Sequence, residues 1–400
     1  MKKVDKFDVF VFLLIFSLCF GVFGGSLQII RLLGLLLLPV FILNFQYKRK
    51  DLLIFVIIFC FFEIYCFISL LWTPDYNEGL KELIYYPIHF LIFLEILLFS
   101  RLSANSYNMI SLSWLISVIL TLFIAFWEIT TGNHLPLSKF EDGDITLNTG
   151  VETITRQFAA VSFGNFNGYV KFLCFALPFV FYQLFRKTGN RAIKFISILT
   201  IFFSYLVIII NASRGGFLAI VIMTILYFIL SPSSVSKYAI IVIFVLFGTY
   251  LFSQYGEMFL TIVAKAGEGG LTSDDSRIKI WTTSILILFS TLGFGTGVAG
   301  MTEALKSYAI TPPKTHNLFI EILLQYGCVF FLLFLLYIVR IYFKARNNEN
   351  IEFRYVIYIA LLSLPFSSII DSGYLLDPIT FVFFASLSSY GSPHPKRCVK

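Results

Sequence analysis

The sequence predicts an all-α integral membrane protein with about twelve transmembrane helices, each a run of about 20 apolar residues. Of the 400 residues, 58% are hydrophobic and only 13% are charged, and the mean hydropathy is +0.86. Soluble domains carry about 25% charged residues, so this composition excludes an ordinary soluble fold. The apolar runs are also too long and continuous for the strands of a membrane β-barrel. The chain, 1–400, is therefore predicted to be a single polytopic membrane domain.

The predicted membrane spans follow one another from one end of the chain to the other. They are residues 7–23, 27–45, 52–72, 83–100, 110–128, 168–186, 192–210, 215–231, 237–253, 317–343, 354–370 and 373–390. Two connections are long, residues 129–167 and 254–316, and the second lies between the ninth and tenth spans. Loops longer than about 12–15 residues are usually functional or disordered, so a site is expected in these two. Within the second loop, the amphipathic stretch 280–292 fits either a helix on the membrane surface or a re-entrant or packing helix.

The distribution of lysine and arginine predicts how the spans are oriented. With the amino terminus inside, every predicted inside loop is basic, from residues 48–50 through 186–194 to the tail at 396–400. Both termini are therefore predicted to be cytoplasmic, both long loops extracytoplasmic, and the membrane to be the inner (cytoplasmic) membrane of the cell. The same bias explains the net charge of +7, so no nucleic-acid partner is inferred.

The sequence holds no motif for a metal ion or a cofactor. The six cysteines lack the spacing of metal ligands, and they do not form a disulfide framework. No Gly-rich phosphate loop with a Lys-Ser or Lys-Thr pair occurs. The pair Asp274-Asp275 in the second long loop is a weak exception. A reaction without metal or cofactor is therefore predicted.

Three basic residues on the predicted outer side depart from the charge bias. Arg214 lies in a short turn between two spans and is followed by Gly215 and Gly216, which allow backbone or ligand to approach closely. Arg277 lies in the second long loop, and His316 lies where that loop meets the tenth span. A guanidinium at a membrane boundary costs free energy unless it meets an anion or an internal partner. These three residues are candidates for binding or catalysis.

Each candidate also has a purely structural explanation. Arg214 can extend its charge toward water or pair with a carboxylate such as Asp371. Arg277 can pair with the two aspartates shortly before it. His316 can cap or pack the helix that it precedes. Taken one at a time, the motifs leave both explanations open.

Taken together, these motifs resemble the O-antigen ligase and O-antigen polymerase superfamily. Arg214 is followed four positions later by Leu218, and His316 opens a segment that contains a glutamate and ends at Gly327. The family shows the same arginine motif and the same His-bearing helix after a long extracytoplasmic loop. Its upstream motif usually reads Asn-Pro-Asn, where this chain has Asn165-Phe166-Asn167. The family-like motifs cover residues 156–327.

The resemblance implies an enzyme that moves a glycan from a polyprenyl diphosphate carrier to an acceptor hydroxyl. Such a reaction needs a base for the acceptor and cations for the departing diphosphate. His316 is then the expected catalytic base. Arg214 and Arg277 are the expected catalytic cations, because an arginine can hold two phosphate oxygens at once. The residues expected to bind the diphosphate or the glycan are Arg156, Lys314, Asn165 and Asn167.

The resemblance also implies the partners. The donor is an undecaprenyl diphosphate-type lipid, and the product is O-antigen or another surface polysaccharide. A polymerase, the preferred interpretation, adds repeat units to a lipid-linked chain, whereas a ligase passes the chain to a lipopolysaccharide core or another acceptor. Membrane lipid is a further partner, and a chain-length regulator is one to be considered.

Two functions of other classes fit parts of the sequence. A transporter or lipid flippase also fits the predicted topology, and Glu63 and Glu95 lie within apolar runs as the carboxylates of transport pathways do. These two glutamates are interpreted instead as hydrogen-bonding groups of the bundle. A structural scaffold of the cell envelope needs no outward arrangement of histidine and arginine.

We expect Asn190 to lie inside the cell and Gly270 outside, because the charges of the loops follow the positive-inside rule. A cysteine placed at either position, in a chain without native cysteines, reports its side by reaction with a reagent that does not cross the membrane. Labelling from outside at position 270 but not at position 190 is the expected result. The reverse pattern contradicts the predicted orientation.

Overall fold

The computed structural model describes most of the chain. The described residues are 5–23, 25–45, 50–103, 105–138, 146–148, 153–155, 158–187, 189–231, 238 and 272–390. Several features of the sequence therefore lie outside them. These are the predicted ninth span at 237–253 apart from Tyr238, residues 254–271 of the second long loop, parts of the first long loop with Arg156, and the basic residues at 48–49 and 396–400.

The described residues are almost entirely helical. The α-helices are α1 (Lys6–Phe16), α2 (Ile29–Asn44), α3 (Lys50–Ser69), α4 (Tyr76–Leu102), α5 (Ser106–Thr131), α6 (Phe166–Phe185), α7 (Arg191–Ile210), α8 (Arg214–Leu230), α9 (Thr272–Ser290), α10 (Gly300–Ser307), α11 (Leu318–Arg346), α12 (Ile351–Ser367) and α13 (Pro378–Tyr390). Short 3₁₀ helices occupy Ser17–Phe20 and Gly25–Leu27. Two short antiparallel strands, β1 (Thr146–Asn148) and β2 (Thr153–Thr155), depart from the all-α prediction. The β-branched residues of β2 favour extended backbone.

Six described helices are long and apolar enough to cross a membrane, namely Leu52–Ser69 of α3 together with α4, α5, α6, α7 and α11. The shorter apolar helices α2, α8 and α13 have 10–17 residues. The protein is therefore a multi-pass membrane protein, as predicted. The full set of about twelve spans and the position of the long loop among them stay predictions.

The described part of the second long loop is structured. It contains α9 and α10, so most of the amphipathic stretch 280–292 is helical. Ile280 and Ile287 of α9 pack with Leu305 of α10 and Leu324 of α11 in a buried apolar cluster. Of the two interpretations of this stretch, the packing helix is the one that these contacts support.

Helix α6 lies at the centre of the bundle. It is buried over its whole apolar length, and α5, α7, α8, α12 and α13 pack around it. Trp114 of α5 stacks on Phe179 with ring centroids 5.5 Å apart, and Phe383 of α13 stacks on Phe175 at 4.4 Å. The hydroxyl of Ser111 donates to the carbonyl of Phe179 at 2.7 Å. Because lipid is as apolar as these side chains, close packing and interhelical hydrogen bonds stabilise such a bundle.

Helix α11 is interrupted at Gly327, where φ is 74° and ψ is −174°. A Gly-rich segment, residues 293–297, lies across the interruption. The N–H of Thr296 donates to the carbonyl of Leu324 at 2.8 Å, and the N–H of Cys328 donates to the first carbonyl of the segment at 2.9 Å. A side chain at Gly327 would collide with the carbonyl groups of this segment. The segment thus satisfies backbone groups that the break sets free, which is the condition for irregular backbone inside a membrane protein.

Hydrogen bonds join connections between helices that are predicted to lie on the same side of the membrane. Between predicted inside connections, the N–H of Lys187 donates to Oε1 of Glu352 at 3.0 Å. Between predicted outside connections, the N–H of Leu318 donates to the carbonyl of Ser368 at 3.0 Å. These two hydrogen bonds support the predicted alternation of spans. Which end of the helix bundle faces the cytoplasm stays a prediction.

The end of the first long loop is buried in the protein and does not lie on its surface. Residues 158–163 are buried, and Glu128 of α5 accepts the N–H groups of Ala160 and Val161 through Oε2, each at 2.8 Å. The side-chain amide of Asn211 bonds to both backbone groups of the residue before them, at 2.8 and 2.9 Å. Two polar side chains therefore take the place of water for this segment.

Of the two intramembrane glutamates, Glu95 does not make the hydrogen bonds that were expected from the sequence. Both carboxylate oxygens of Glu95 in α4 are buried without a hydrogen-bond partner in the part of the chain that is described. One carboxylate oxygen of Glu63 in α3 has the same setting. The interpretation of Glu95 as a hydrogen-bonding group of the bundle is therefore wrong for the described residues.

Replacing Glu128 with alanine leaves two buried N–H groups without their acceptor. Each unsatisfied buried group costs about 1–3 kcal/mol, so we expect the variant in detergent to unfold at a clearly lower temperature than the parent protein. Thr130→Ala changes an exposed residue of the same helix and is the matched control. Equal unfolding temperatures for the two variants would show that Glu128 does not hold the buried segment.

Candidate active site

The loop that carries His316 is fixed from two sides. The indole N–H of Trp281 in α9 donates to the carbonyl of Thr315 at 2.9 Å. On the other side, the N–H of Leu318 donates to the carbonyl of Ser368, in the turn between α12 and α13, at 3.0 Å. The histidine lies between these two bonds, so its position is set relative to both α9 and that turn.

His316 has an uncommon backbone conformation. Its φ is 45°, in the left-handed region that residues other than glycine rarely adopt. The side chain is half-buried, and its Nδ1 atom is buried without a hydrogen-bond partner among the described residues. Strained backbone and unsatisfied polar atoms both cost free energy, and they cluster at functional sites. Both observations point to the imidazole as a functional group.

Three charged groups act on the imidazole of His316. They are Asp371 in the turn between α12 and α13, Arg277 on α9, and Lys314 in the same loop as the histidine. Burial lowers the pKa of His316 below its ordinary value. Asp371 opposes this shift, and the positive charges of Arg277 and Lys314 add to it. The imidazole is therefore neutral at neutral pH, and one of its nitrogens can accept a proton.

Asn317, the residue after His316, caps α11. The side chain of Asn317 accepts hydrogen bonds from the N–H groups of Phe319 at 2.9 Å and Ile320 at 3.3 Å. An asparagine at this position is a favourable N-cap. The structural explanation of His316 as the cap of the helix is therefore wrong.

The two arginines belong to different helices. Arg277 lies one helical turn before Trp281 on α9, on the same face as the indole that holds the histidine loop. Its side chain is half-buried. Arg214 is the first residue of α8 and is exposed. The charge of Arg277 acts on His316 directly, so these two predicted residues lie near each other.

The glycines after Arg214 serve the packing of α8. A Cβ atom at Gly215 would lie 3.1–3.3 Å from two isoleucines of the turn after α12, and one at Gly216 would lie 2.5 Å from a valine of α6. The close approach that they allow is therefore that of neighbouring protein segments. Helix α8 begins against the turn that carries Asp371, which places Arg214 at the same end of the bundle as His316.

A buried lysine that the sequence analysis overlooked joins this turn to the central helix. The side chain of Lys171 in α6 is 2% exposed, and its Nζ lies 3.0 Å from Oδ2 of Asp371 and 2.9 Å from Oδ2 of Asp377. The same ammonium group lies 5.0 Å from the centre of the Tyr374 ring. A signal was present, because Lys171 interrupts an apolar run and charged residues inside spans are rare and usually paired. What the sequence did not show was which carboxylates face it.

The turn is also attached to the helix that follows His316. Glu321, in the first turn of α11, accepts the N–H of Gly373 at 2.9 Å and the N–H of Leu375 at 3.2 Å. Its side chain is buried. Lys171 and Glu321 together fix the turn from two helices, and the position of Asp371 beside the histidine follows from both attachments.

The region that contains this arrangement matches a known family. Residues 198–367 match the protein-family model described as O-Antigen ligase, and they include Arg214, Arg277 and His316. The predicted resemblance to the O-antigen ligase and O-antigen polymerase superfamily is confirmed. Lys171 and Asp371 lie outside the matched residues.

The chain is also similar to the teichuronic acid biosynthesis protein TuaE of Bacillus subtilis (strain 168). The two sequences are 26% identical over 321 residues, which is 75% of this chain and 63% of that relative. The chain thus spans less than two thirds of the relative's length. The similarity nevertheless extends beyond the region that matches the O-antigen ligase family.

The other predicted binding residues have different settings. Lys314 is exposed beside His316. Asn165 is the N-cap of α6, where its Oδ1 accepts the N–H of Gly168 at 2.6 Å, and Asn167 is half-buried in the first turn of that helix. Within the described residues, no three His, Cys, Asp or Glu side chains are grouped to hold a metal ion. The binding roles of these residues, that of Arg156 and the metal independence of the reaction stay predictions.

Histidine NMR of the solubilised protein should show His316 titrating below its ordinary pKa of about 6.5. Lys314→Gln should raise this pKa, because a nearby cation disfavours the imidazolium. Asp371→Asn should lower it, because a nearby carboxylate favours the imidazolium. His316→Gln assigns the signal by removing it, and Lys187→Gln, at the other end of the bundle, is the control that leaves it unchanged. A pKa that lies above 6.5 or rises in Asp371→Asn contradicts these electrostatic contacts.

Proposed function

We propose that the protein is a membrane glycosyltransferase that transfers a glycan from an undecaprenyl diphosphate-type lipid to an acceptor sugar hydroxyl and so polymerises a surface polysaccharide. The observation that supports this proposal is a half-buried histidine whose buried Nδ1 has no hydrogen-bond partner among the described residues and on which the charges of Arg277, Lys314 and Asp371 act. A base beside cations is what transfer from a diphosphate to a hydroxyl requires. The match to the O-antigen ligase family supports the same class of reaction.

The proposed chemistry assigns one role to each group. His316 takes the proton of the acceptor hydroxyl while the acceptor oxygen forms its bond to the anomeric carbon of the donor. The bond from that carbon to the diphosphate oxygen breaks, and the diphosphate leaves with the bonding electrons. Arg214 and Arg277 stabilise the charge that collects on the leaving oxygens. His316 then gives its proton to solvent and is ready for the next acceptor.

The proposed site faces the extracytoplasmic side of the inner membrane, with both chain termini cytoplasmic. The alternation of basic loops supports this orientation. A lipid-linked donor keeps its hydrocarbon chain in the bilayer and presents its diphosphate at the surface. A site at one end of the helix bundle fits a substrate of that shape.

A ligase is the second candidate, because the matching family model is described as O-Antigen ligase. The two activities share their chemistry and differ in the acceptor, which is a lipid-linked chain for a polymerase and a lipopolysaccharide core or another acceptor for a ligase. The similar Bacillus protein is named for teichuronic acid biosynthesis, which supports a polysaccharide product in general. In vesicles that contain a defined lipid-linked repeat unit, a ladder of products indicates a polymerase and a single transfer indicates a ligase.

His316→Ala should reduce glycan transfer by about 10²–10⁴-fold, which is the usual contribution of a general base. The measurement is turnover per folded molecule in proteoliposomes that contain a polyprenyl diphosphate-linked glycan. Folding is checked by the unfolding temperature, which should stay near that of the parent protein.

Asn317→Ala is the matched control at the neighbouring position. It removes the cap of α11, so it should lower the unfolding temperature more than it lowers turnover per folded molecule. Turnover at the parent level in His316→Ala would end the assignment of the base to this histidine.

A further inference from the structure

A cavity of about 180 Å³ lies beside the turn that carries Asp371. It is bounded by the connection between α1 and α2, by α6, and by the turn between α12 and α13. A closed cavity of about 150 Å³ holds a benzene molecule in another protein. This cavity is partly open, so a single ring can lie in it with its larger substituents directed outward. The lining residues used below are Val22, Gln28, Phe163, Lys171, Asp371 and Asp377.

The cations at this cavity already have partners. Lys171 is 2% exposed and is bonded to both Asp371 and Asp377, at 3.0 and 2.9 Å. Arg31, whose charge interacts with that of Asp377, donates through its three nitrogens to His89 and to two backbone carbonyls, at 2.8–3.2 Å. Two cations are thus balanced by two carboxylates. Among the described residues that line the cavity, an anionic ligand would find no unpaired cation, and a buried charge without a partner is costly.

The polar groups that are left at the cavity are mainly acceptors of hydrogen bonds. Oε1 of Gln28 is buried and has no hydrogen-bond partner among the described residues. The carboxylates of Asp371 and Asp377 can each accept several hydrogen bonds, and each gives only one oxygen to the lysine. The ring of Phe163 supplies an apolar wall. A few acceptors beside an apolar wall suit a ligand that carries hydroxyl groups on a ring.

We propose that this cavity binds one uncharged, hydroxyl-rich sugar ring, the ring of the acceptor. The assignment of the ring as acceptor rests on the proposed function. Asp371 belongs both to the lining of the cavity and to the groups whose charge acts on His316, so a ring bound here and the proposed base share this carboxylate. The diphosphate of the donor is then bound separately, by the arginines and Lys314 to which the proposed function assigns it.

Saturation-transfer NMR on the full chain in lipid nanodiscs tests the cavity without any reaction. The neutral probes are the methyl glycosides of glucose, galactose and N-acetylglucosamine, and the anionic probes are the methyl glycosides of glucuronic and galacturonic acid. At least one neutral probe should receive saturation, and its uronic acid counterpart should receive several-fold less.

Two variants in one connection form a matched pair. Val22 lines the cavity, whereas Leu27 is 64% exposed and does not line it. Val22→Phe should abolish the signal of the neutral probe by filling the cavity, and Leu27→Phe should leave it unchanged. Gln28→Leu keeps the volume but removes the acceptor, so it should weaken binding several-fold, and it is decisive where Val22→Phe does not fold.

The outcomes separate this inference from the proposed function. Probe binding that persists in His316→Ala while transfer is lost supports both. Parent-like probe binding in Val22→Phe and Gln28→Leu, or uronic acid probes that bind as well as neutral ones, overturns the cavity assignment and leaves the transfer chemistry untouched. Normal transfer in His316→Ala, with the neutral probe still excluded by Val22→Phe, overturns the assignment of the base and leaves the cavity as a sugar site.

Discussion

Lys171 carries a charge inside a helix bundle whose buried side chains are mostly aromatic and aliphatic, and the site depends on how that charge is neutralised. Its two partners, Asp371 and Asp377, stand at either end of one turn between α12 and α13. A lysine left alone in this setting would be costly, so the turn cannot move far from α6 without separating opposite charges. The start of α8 packs against the same turn. At the N-terminus of α11, the N–H of Leu318 donates to the carbonyl of Ser368 in this turn. The segments that carry Arg214 and His316 are therefore positioned by a contact that neither residue makes itself.

Composition and charge were sufficient to predict a multi-pass, helical membrane protein, because a bilayer leaves few alternatives for long apolar runs. They were not sufficient to predict where helices stop. Helix α1 ends at Phe16 and gives way to a 3₁₀ turn, although its apolar run continues to Phe23. Buried segments without regular structure were missed as well. Residues 158–163 look like the end of a loop, and their burial depends on Glu128 and Asn211, which are distant in sequence.

The candidate site was predictable to the extent that its residues sit in short local motifs. His316 and its arginines could be selected by their place in the chain and by the resemblance to a family. The groups that hold them could not, because each acts across the bundle: Trp281 through a bond to Thr315, and Glu321 through bonds to Gly373 and Leu375. The charge of Asp371 was visible in the sequence, but its two neighbours, a lysine on one side and a histidine on the other, are a property of the folded chain alone.

The interruption of α11 at Gly327 constrains the number of residues between the Gly-rich segment and His316. Residues 293–297 are joined to both sides of the break by bonds between backbone groups, which do not depend on the identity of side chains. The stretch from this segment to His316 therefore begins at the break in α11 and ends where Thr315 and Leu318 are hydrogen-bonded. Substitutions within it can be accommodated, whereas one added or deleted residue changes the length of the stretch and shifts the histidine against Arg277. Variation in loop length among related proteins is accordingly expected before residue 290, not between Gly293 and His316.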